Sequence, residues 1–269
     1  MNISNKSVLI TGANRGVGRA LLDEALRRGA KKVYAGTRGA LQHPDKRVTP
    51  LMLDVTNGSQ IQRAVDEVDT LDVLINNAGI AIYDDLSNLD VLEQTFAVNF
   101  LGLLKVTNAF LPLLKHSKGA IVNDLSLAGL APLPIIPSYS ASKAAALNLT
   151  QSLRALLAGQ GVTVHAVVLG PVDTDMNRGF NIPKVSTESA ALGIFDGLEK
   201  GEEEIFPIPR PGPSRMAGAM GYPRRLRANS PLSCRRARRA LPLWSSRYTQ
   251  ARAELSVDGL GLFRKTKEK

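Results

Sequence analysis

The chain of 269 residues is 44% hydrophobic, which is enough for one large domain with a sizeable core. Its single cysteine, Cys234, excludes an internal disulfide framework, and neither a signal segment nor a run of about 18 apolar residues is present, so we expect a cytoplasmic protein. The net charge of +10 comes from the C-terminal residues 207–269, which hold 15 Lys and Arg against 3 Asp and Glu. Residues 1–206 are therefore not strongly basic, which excludes a polyanion-binding surface based on net charge in this part of the chain.

The first predicted elements are a strand, a glycine loop and a helix. Residues 7–10 form a short apolar run, the loop 11–18 carries glycines at 12, 16 and 18, and an amphipathic helix follows from about residue 19 to Arg28. Glycines in this context let the backbone approach a pyrophosphate, which rests on the N–H groups at the helix start. The alternative is a plain tight turn, and the spacing Gly-x-x-x-Gly-x-Gly differs from the usual Gly-x-Gly-x-x-Gly.

The second predicted strand, 32–36, ends at Thr37 and Arg38. An acidic residue at this distance from the loop would bind a ribose 2′-hydroxyl, whereas an arginine suits a 2′-phosphate. Arg38 and Arg15 therefore favour NADP(H) over NAD(H). The alternative is that both arginines are merely exposed on the surface.

The remaining elements alternate between strand and helix. Further strands are predicted at 49–53, 72–75, 120–125, 162–168 and 204–206, and helices at 58–68, 89–115, 139–158 and 187–200. Strands that are nearly continuous apolar runs predict an α/β fold, a Rossmann-type doubly wound parallel sheet in three layers. Ligands bind such sheets at the carboxyl ends of the strands, where Gly12, Arg38, Asp54 and Asn76 are expected to cluster. Pro112 is expected to kink or shorten its helix.

Tyr139 and Lys143 are four residues apart at the start of a predicted helix and therefore share one face. A phenol beside a fixed cation is easier to ionise, which gives a group able to donate or accept a proton near neutral pH. Alone the pair is a weak indication, because chance produces it in about a quarter of chains with this composition.

Five motifs together resemble the short-chain dehydrogenase/reductase family over about residues 5–206. They are Thr11-Gly12-x-x-x-Gly16-x-Gly18, Asn76-Asn77-Ala78-Gly79, Asn99, Ser126 and Tyr139-x-x-x-Lys143, in the family's order. The resemblance implies an NADP(H)-dependent oxidoreductase, a carbonyl reductase or an alcohol dehydrogenase in reverse, that acts on a small-molecule carbonyl or alcohol. It also implies a homodimer or homotetramer.

The resemblance also implies a role for each site residue. Tyr139 is the general acid, Lys143 assists its ionisation and holds the nicotinamide ribose, Ser126 hydrogen-bonds the substrate oxygen, and Asn99 positions a water that relays protons. The implied cofactor contacts are Gly12, Arg15, Gly16, Val17, Gly18, Arg38, Asp54, Val55, Asn77, Gly79 and Thr174, besides Tyr139 and Lys143. Without the shared register, Ser126 could merely end a strand and Asn99 could cap a buried turn.

Other features refine these expectations. Asp124 lies in the fifth strand where the family has an apolar residue. It could help to shape the site, but we expect that it is a tolerated departure whose carboxylate has a local partner. The short polar loop 177–185 would cover little of the substrate, and a hydrophobic substrate is suggested by apolar candidates, namely Ile80, Leu127, Leu130, Ile135 and Met176. The three histidines lack metal-ligand spacing, so no metal is expected.

Residues 207–269 form an Arg/Pro-rich tail outside the resemblance. Three interpretations remain open: a disordered or loosely docked extension without function, a shifted reading frame, and a polybasic arm for nucleic acid or anionic membrane. The last would suit an alternative function for the whole chain. The protein would then be a catalytically silent nucleotide sensor or scaffold on the same fold, with a polyanion-binding tail.

Overall fold

Seven apolar strands form one parallel sheet in the computed structural model of the chain, which describes residues 1–207. The strands are β1 Ser7–Thr11, β2 Lys32–Thr37, β3 Val48–Met52, β4 Val73–Asn76, β5 Ala120–Ser126, β6 Thr163–Leu169 and β7 Glu204–Ile205. Each predicted strand is confirmed to within about two residues, as is usual for element boundaries. The spatial order β3-β2-β1-β4-β5-β6-β7 is that of a doubly wound Rossmann-type sheet.

Helices cover both faces of the sheet and complete the three layers. They are α1 Gly16–Arg27, α2 Gly58–Glu67, α3 Leu89–Phe96, α4 Leu103–Ser117, α5 Pro137–Leu157 and α6 Thr187–Lys200. Two helices begin earlier than the sequence suggested. The loop glycine Gly16 already belongs to α1, and Pro137 opens α5 because proline lacks the N–H that a first helical residue leaves unbonded anyway.

Two hydrophobic cores hold the layers together. On one face, Leu21 and Leu22 of α1 and Phe195 of α6 are fully buried against the sheet. On the other face, Val106, Phe110 and Leu114 are also fully buried, and their spacing of four residues places one stripe of α4 on the sheet. Because apolar helices cover both faces of the sheet, polar site residues are expected at the carboxyl ends of the strands.

A continuous helical segment from Leu89 to Ser117 joins α3 and α4 through a π-helical turn, Ala97–Gly102. Pro112 does not shorten α4, which continues to Ser117, and the exposed position of the proline lets water bond the carbonyl that loses its partner. By length and composition this segment could cross a membrane, with a mean hydropathy of 1.5, but the core helix of a globular protein passes the same test.

The strand order reverses between β2 and β4 on either side of β1, and sheets of this kind have their ligand-binding cleft at this point of the carboxyl edge. The predicted division at residues 206 and 207 stays a prediction, since the tail from residue 208 onward lies outside the described residues.

Candidate active site

The glycine loop after β1 has a backbone conformation that strongly favours glycine. Gly12 and Gly16 have φ angles of 70° and 55°, in the left-handed region. At Gly18 a Cβ atom would lie 2.1 Å from the Gly12 carbonyl oxygen and 2.6 Å from Asn77 Nδ2. The loop is therefore folded tightly against the first turn of α1, and its bare backbone fits a pyrophosphate held by N–H groups.

Asn77 braces this loop from the neighbouring strand. Its Nδ2 donates to the Thr11 carbonyl oxygen at 2.8 Å, and the Thr11 hydroxyl accepts the backbone N–H groups of Asn77 and Ala78 at 3.0 Å each. The end of β4 is thereby fastened to the end of β1. The predicted contact between Asn77 and a ribose stays a prediction, because the observed hydrogen bonds of this side chain are to the glycine loop.

Arg38 and Asp54 lie together beyond the ends of β2 and β3. Hydrogen bonds from Thr56, at 2.8 Å from N–H and 2.7 Å from Oγ1, hold the pKa of Asp54 below its usual range, and the nearby charge of Arg38 contributes in the same direction. Arg38 is exposed, whereas Val55 is buried beneath this corner. The corner thus offers one guanidinium to a phosphate.

The loop after β6 lies against the glycine loop. A Cβ at Gly16 would be 3.4 Å from Thr174 Cγ2, so Thr174 lies beside the start of α1. Arg15, which is largely exposed, donates to Asp175 at 3.3 Å, and Arg178 binds the same carboxylate. No local pattern in the sequence predicts this acidic partner of Arg15, because Asp175 is 160 residues away in the chain.

A cavity of about 870 Å³ opens on the outer side of this junction, between α1 and α6. Its lining includes Arg15, Gly16 and Thr174, but none of the predicted catalytic residues. Val17, half-buried, packs on the core nearby. The cavity therefore adjoins the predicted phosphate site, whereas the predicted catalytic residues lie elsewhere along the carboxyl edge.

Tyr139 and Lys143 share one face of the first turns of α5, as their spacing predicts. Lys143 Nζ lies 5.7 Å from the centroid of the half-buried Tyr139 ring. The lysine is buried, and its ammonium donates to the backbone carbonyl of Asp124 at 2.7 Å. A Cβ at Gly79 would lie 3.7 Å from Nζ, so the loop after β4 reaches the same cation. The structure thus brings a phenol, a fixed cation and the loop after β4 together.

Asn99 lies in the π-helical turn and joins three segments of the chain. Its Nδ2 donates to the Ile80 carbonyl oxygen at 2.9 Å and to Ser142 Oγ at 3.0 Å, while its Oδ1 accepts the Ile80 N–H at 2.9 Å. Single π turns inside α-helices are frequently found at functional sites. Asn99 holds the Gly79–Ile80 backbone beside Lys143, and the water relay stays a prediction.

Ser126 ends β5 on the side of the cleft. Its Oγ accepts the N–H of Ala128 at 3.1 Å, so the hydroxyl proton can be directed at a substrate oxygen. The following turn, Leu127–Gly129, packs on α5, since a Cβ at Gly129 would lie 2.9 Å from the carbonyl carbon of Lys143. This contact keeps Ser126 near the lysine.

Contacts between the loops show parts of the site that the sequence did not reveal. Asp84 accepts hydrogen bonds from the backbone and hydroxyl of Ser138, which ties the loop after β4 to the start of α5. Tyr83 stacks on Phe180 with ring centroids 5.9 Å apart. Loop 177–185 thus meets the opposite loop through an aromatic ring, and the expectation that it covers little of the substrate stays a prediction.

A buried polar network supports the site from below. Asn76 Nδ2 donates to Thr107 Oγ1 at 3.0 Å and to Asn123 Oδ1 at 2.9 Å, and Asn123 Nδ2 donates to Thr150 Oγ1 at 2.9 Å. It joins β4, β5, α4 and α5. The sequence indicates this network only through two asparagines near the ends of strands. These asparagines, Asn76 and Asn123, are register partners in the sheet.

His165 is fully engaged by the Glu202 carbonyl at 2.6 Å and Thr163 Oγ1 at 2.9 Å, and burial lowers its pKa. Within residues 1–207, no three His, Cys, Asp or Glu side chains are grouped as metal ligands would be.

Comparison with known proteins gives a consistent result. The family model for short chain dehydrogenases matches residues 6–184. Estradiol 17-beta-dehydrogenase 2 of Mus musculus is 33% identical over 221 residues, which are 76% of this chain but only 57% of the mouse protein's length.

Two solved structures are also similar. A short chain dehydrogenase of Burkholderia cenocepacia, in complex with NADP, is 37% identical with a TM-score of 0.77, and the match covers 84% of this chain and 97% of that one. A short chain dehydrogenase/reductase of Burkholderia phymatum, in complex with NAD, has a TM-score of 0.70 over 81% of this chain and 92% of that one. At 23% identity this second likeness concerns the fold alone.

Proposed function

We propose that this chain, which belongs to the short-chain dehydrogenase/reductase family, is an NAD(P)-type oxidoreductase and, more specifically, an NADP(H)-dependent carbonyl reductase or an alcohol dehydrogenase in reverse. The observation that carries this proposal is the Tyr139–Lys143 pair, with Nζ 5.7 Å from the ring, beside the Gly79 loop. A buried cation that is fixed by a carbonyl at 2.7 Å can assist proton transfer by the phenol without moving.

When bound, the nicotinamide supplies the hydride. The chain's own residues manage the oxygen of the substrate. The Tyr139 hydroxyl gives its proton to the carbonyl oxygen, and Ser126 donates a second hydrogen bond to that oxygen. Lys143 stabilises the phenolate that remains. Asn99 keeps the Gly79–Ile80 backbone in place against the lysine.

The test is Tyr139→Phe, which removes only the acidic hydroxyl. We expect kcat/KM for a panel of ketones and aldehydes to fall by about 10²–10⁴, with NADPH binding retained. Tyr83→Phe is the matched control, since Tyr83 is the exposed partner of Phe180 and has no proposed chemical role. Unchanged turnover in Tyr139→Phe contradicts the assignment. NADPH binding by the wild type, without turnover of any substrate, would favour the sensor or scaffold instead.

The preference for NADP(H) rests on Arg38, an exposed guanidinium at the end of β2. It can pair with a 2′-phosphate, although Asp54 beside it opposes the same phosphate. Turnover with NADPH and NADH is to be measured side by side. Arg38→Ala is expected to raise KM for NADPH at least about tenfold, the loss of one charged hydrogen bond, with KM for NADH little changed. Arg63→Ala, on the exposed face of α2, is the control. An equal effect on both cofactors would contradict the preference.

The proposed substrate is a hydrophobic ketone or aldehyde. Leu130, Ile135 and Met176 are each more than a third exposed near the carboxyl edge of the sheet. The mouse relative is named for estradiol. In a series of ketones of increasing chain length, KM should fall by up to about fourfold for each methylene that the site buries. A KM that is independent of chain length would contradict a hydrophobic site.

A homodimer or homotetramer is proposed through the long helices. Leu89, Leu101 and Leu156 are 66%, 43% and 60% exposed on these helices, and a second copy that covers them would remove apolar surface from water. Light scattering on the purified chain decides the point, and a monomer at micromolar concentration would contradict it.

A further inference from the structure

Asp124 lies within β5 at the boundary between core and cleft. Residues two apart on a strand point to the same face, so Asp124 shares its face with Val122 and Ser126. Val122 is fully buried in the core beneath α1 and α6, whereas Ser126 ends the strand at the cleft. The carboxyl group therefore lies on the same face of β5 as Ser126, one position further into the core.

This carboxyl group has no hydrogen-bond partner among residues 1–207. Asp124 is 9% exposed, and its buried Oδ1 accepts no hydrogen bond from any residue in 1–207. The local partner that the sequence analysis expected is therefore absent from the described part of the chain. An unpaired polar atom at such a depth is costly unless it serves a purpose or is met by a ligand.

Lys143 connects Asp124 to the chemistry. Its ammonium donates to the backbone carbonyl of Asp124 and also lies over the Tyr139 ring. Burial raises the pKa of the Asp124 carboxyl to about 7, and the charge of Lys143 opposes this rise. Neighbours on the flanking strands are uncharged, since Val167 is the register partner on β6 and Asn77 follows β4. Within residues 1–207, Lys143 is thus the charged group that acts on Asp124, with Tyr139 next to it.

Resting on the proposed function, we propose that Asp124 is a positioning residue that sets how strongly the Lys143 charge acts on the Tyr139 phenol. When the carboxyl is neutral, the whole cationic field favours the phenolate. When the carboxyl is ionised, it offsets part of that field and keeps the phenol protonated to higher pH. Reduction needs the protonated phenol and oxidation needs the phenolate, so Asp124 extends reduction toward alkaline pH.

The test compares Asp124→Asn, which is nearly isosteric, with Asp124→Val, which is apolar; both remove the charge. The midpoint of the pH profile of kcat/KM for alcohol oxidation is measured in the full chain. In parallel, tyrosinate absorbance is measured as a function of pH. The absorbance of the same protein with Tyr139→Phe is subtracted, so that the difference reports Tyr139 alone. We expect both variants to move both midpoints to lower pH by about 0.5–1 unit, the effect of one charge at a distance of several ångströms. Asp66→Asn, an equal charge change on the exposed face of α2, is expected to leave them unchanged.

Midpoints that stay in place in both variants overturn the proposal. A shift in only one of them also overturns it, because packing or hydrogen bonding would then be responsible and not charge. Should Asp124→Val fail to fold, Asp124→Asn decides alone. The absorbance titration needs no substrate, so a chain without turnover would contradict the proposed function while still deciding the role of Asp124.

Discussion

Substitution of Gly18 by alanine tests the glycine loop at the point where its backbone is most crowded. The new Cβ would lie 2.1 Å from the Gly12 carbonyl oxygen, roughly 0.9 Å inside the 3.0 Å limit that real Cβ contacts respect. The opposing atom is backbone and cannot rotate away. The loop, α1, or the Asn77 brace at 2.6 Å must therefore move.

Overpacking of this kind costs about 1–3 kcal/mol. For a folded unit of about 200 residues this corresponds to a melting temperature lower by about 2–12 °C. The displaced loop also turns its N–H groups away from the pyrophosphate. Loss of one such charged hydrogen bond, worth about 1.5–3 kcal/mol, is expected to weaken NADPH binding at least about tenfold.

Thermal unfolding and fluorescence titration with NADPH measure the two effects of Gly18→Ala. Gly58→Ala is the matched control, because a Cβ there meets nothing within 4 Å and Gly58 begins α2, where alanine favours the helix. Its melting temperature is expected to stay unchanged or rise slightly, with NADPH affinity retained. If Gly18→Ala binds NADPH as the wild type does and melts at the same temperature, the reasoning about a close-packed phosphate loop is refuted.

Three further predictions concern buried polar groups. Asn123→Ala removes one of two hydrogen-bond partners from the Asn76 amide, which keeps Thr107, and one of two from the Thr150 hydroxyl, which keeps the Ala146 carbonyl. It should lower the free energy of unfolding by about 1–3 kcal/mol in urea denaturation. Burial lowers the pKa of His165, so the folded chain binds fewer protons than the unfolded chain, and the free energy of unfolding should fall as pH drops below about 6.5. His165→Gln should flatten that dependence, and an unchanged slope would contradict it. The raised pKa of Asp124 makes the free energy of unfolding depend on pH in the opposite direction. The stabilising contribution of the neutral carboxyl is fully present below the ordinary carboxyl pKa and is lost as pH rises through about 7. Asp124→Asn should therefore be more stable than the wild type at pH 8, by up to about 4 kcal/mol, and equal to it near pH 4.

The parts of the structure that the sequence predicted are those with a local cause. Strand β1 is apolar from Val8 to Ile10, the left-handed glycines follow this strand directly, and Tyr139 and Lys143 are separated by about one helical turn. Each of these patterns depends on a few consecutive residues and on the period of a strand or helix. Even the starts of helices followed local rules that could have been applied, since proline at position 137 is typical of a first helical residue.

The parts that the sequence did not predict depend on register between segments that are distant in the chain. Asn123 meets Asn76 only because β5 pairs with β4 in one particular register, and a slip by one residue would turn both amides to the other face. The same holds for Asp124, because its backbone carbonyl meets a lysine that is 19 residues away on α5. A sequence shows that a carboxylate is unusual in a strand, but it does not show which charged side chain of another element lies next to it. The departure from the family pattern therefore acquires a functional meaning only after the packing of α5 on β5 is known.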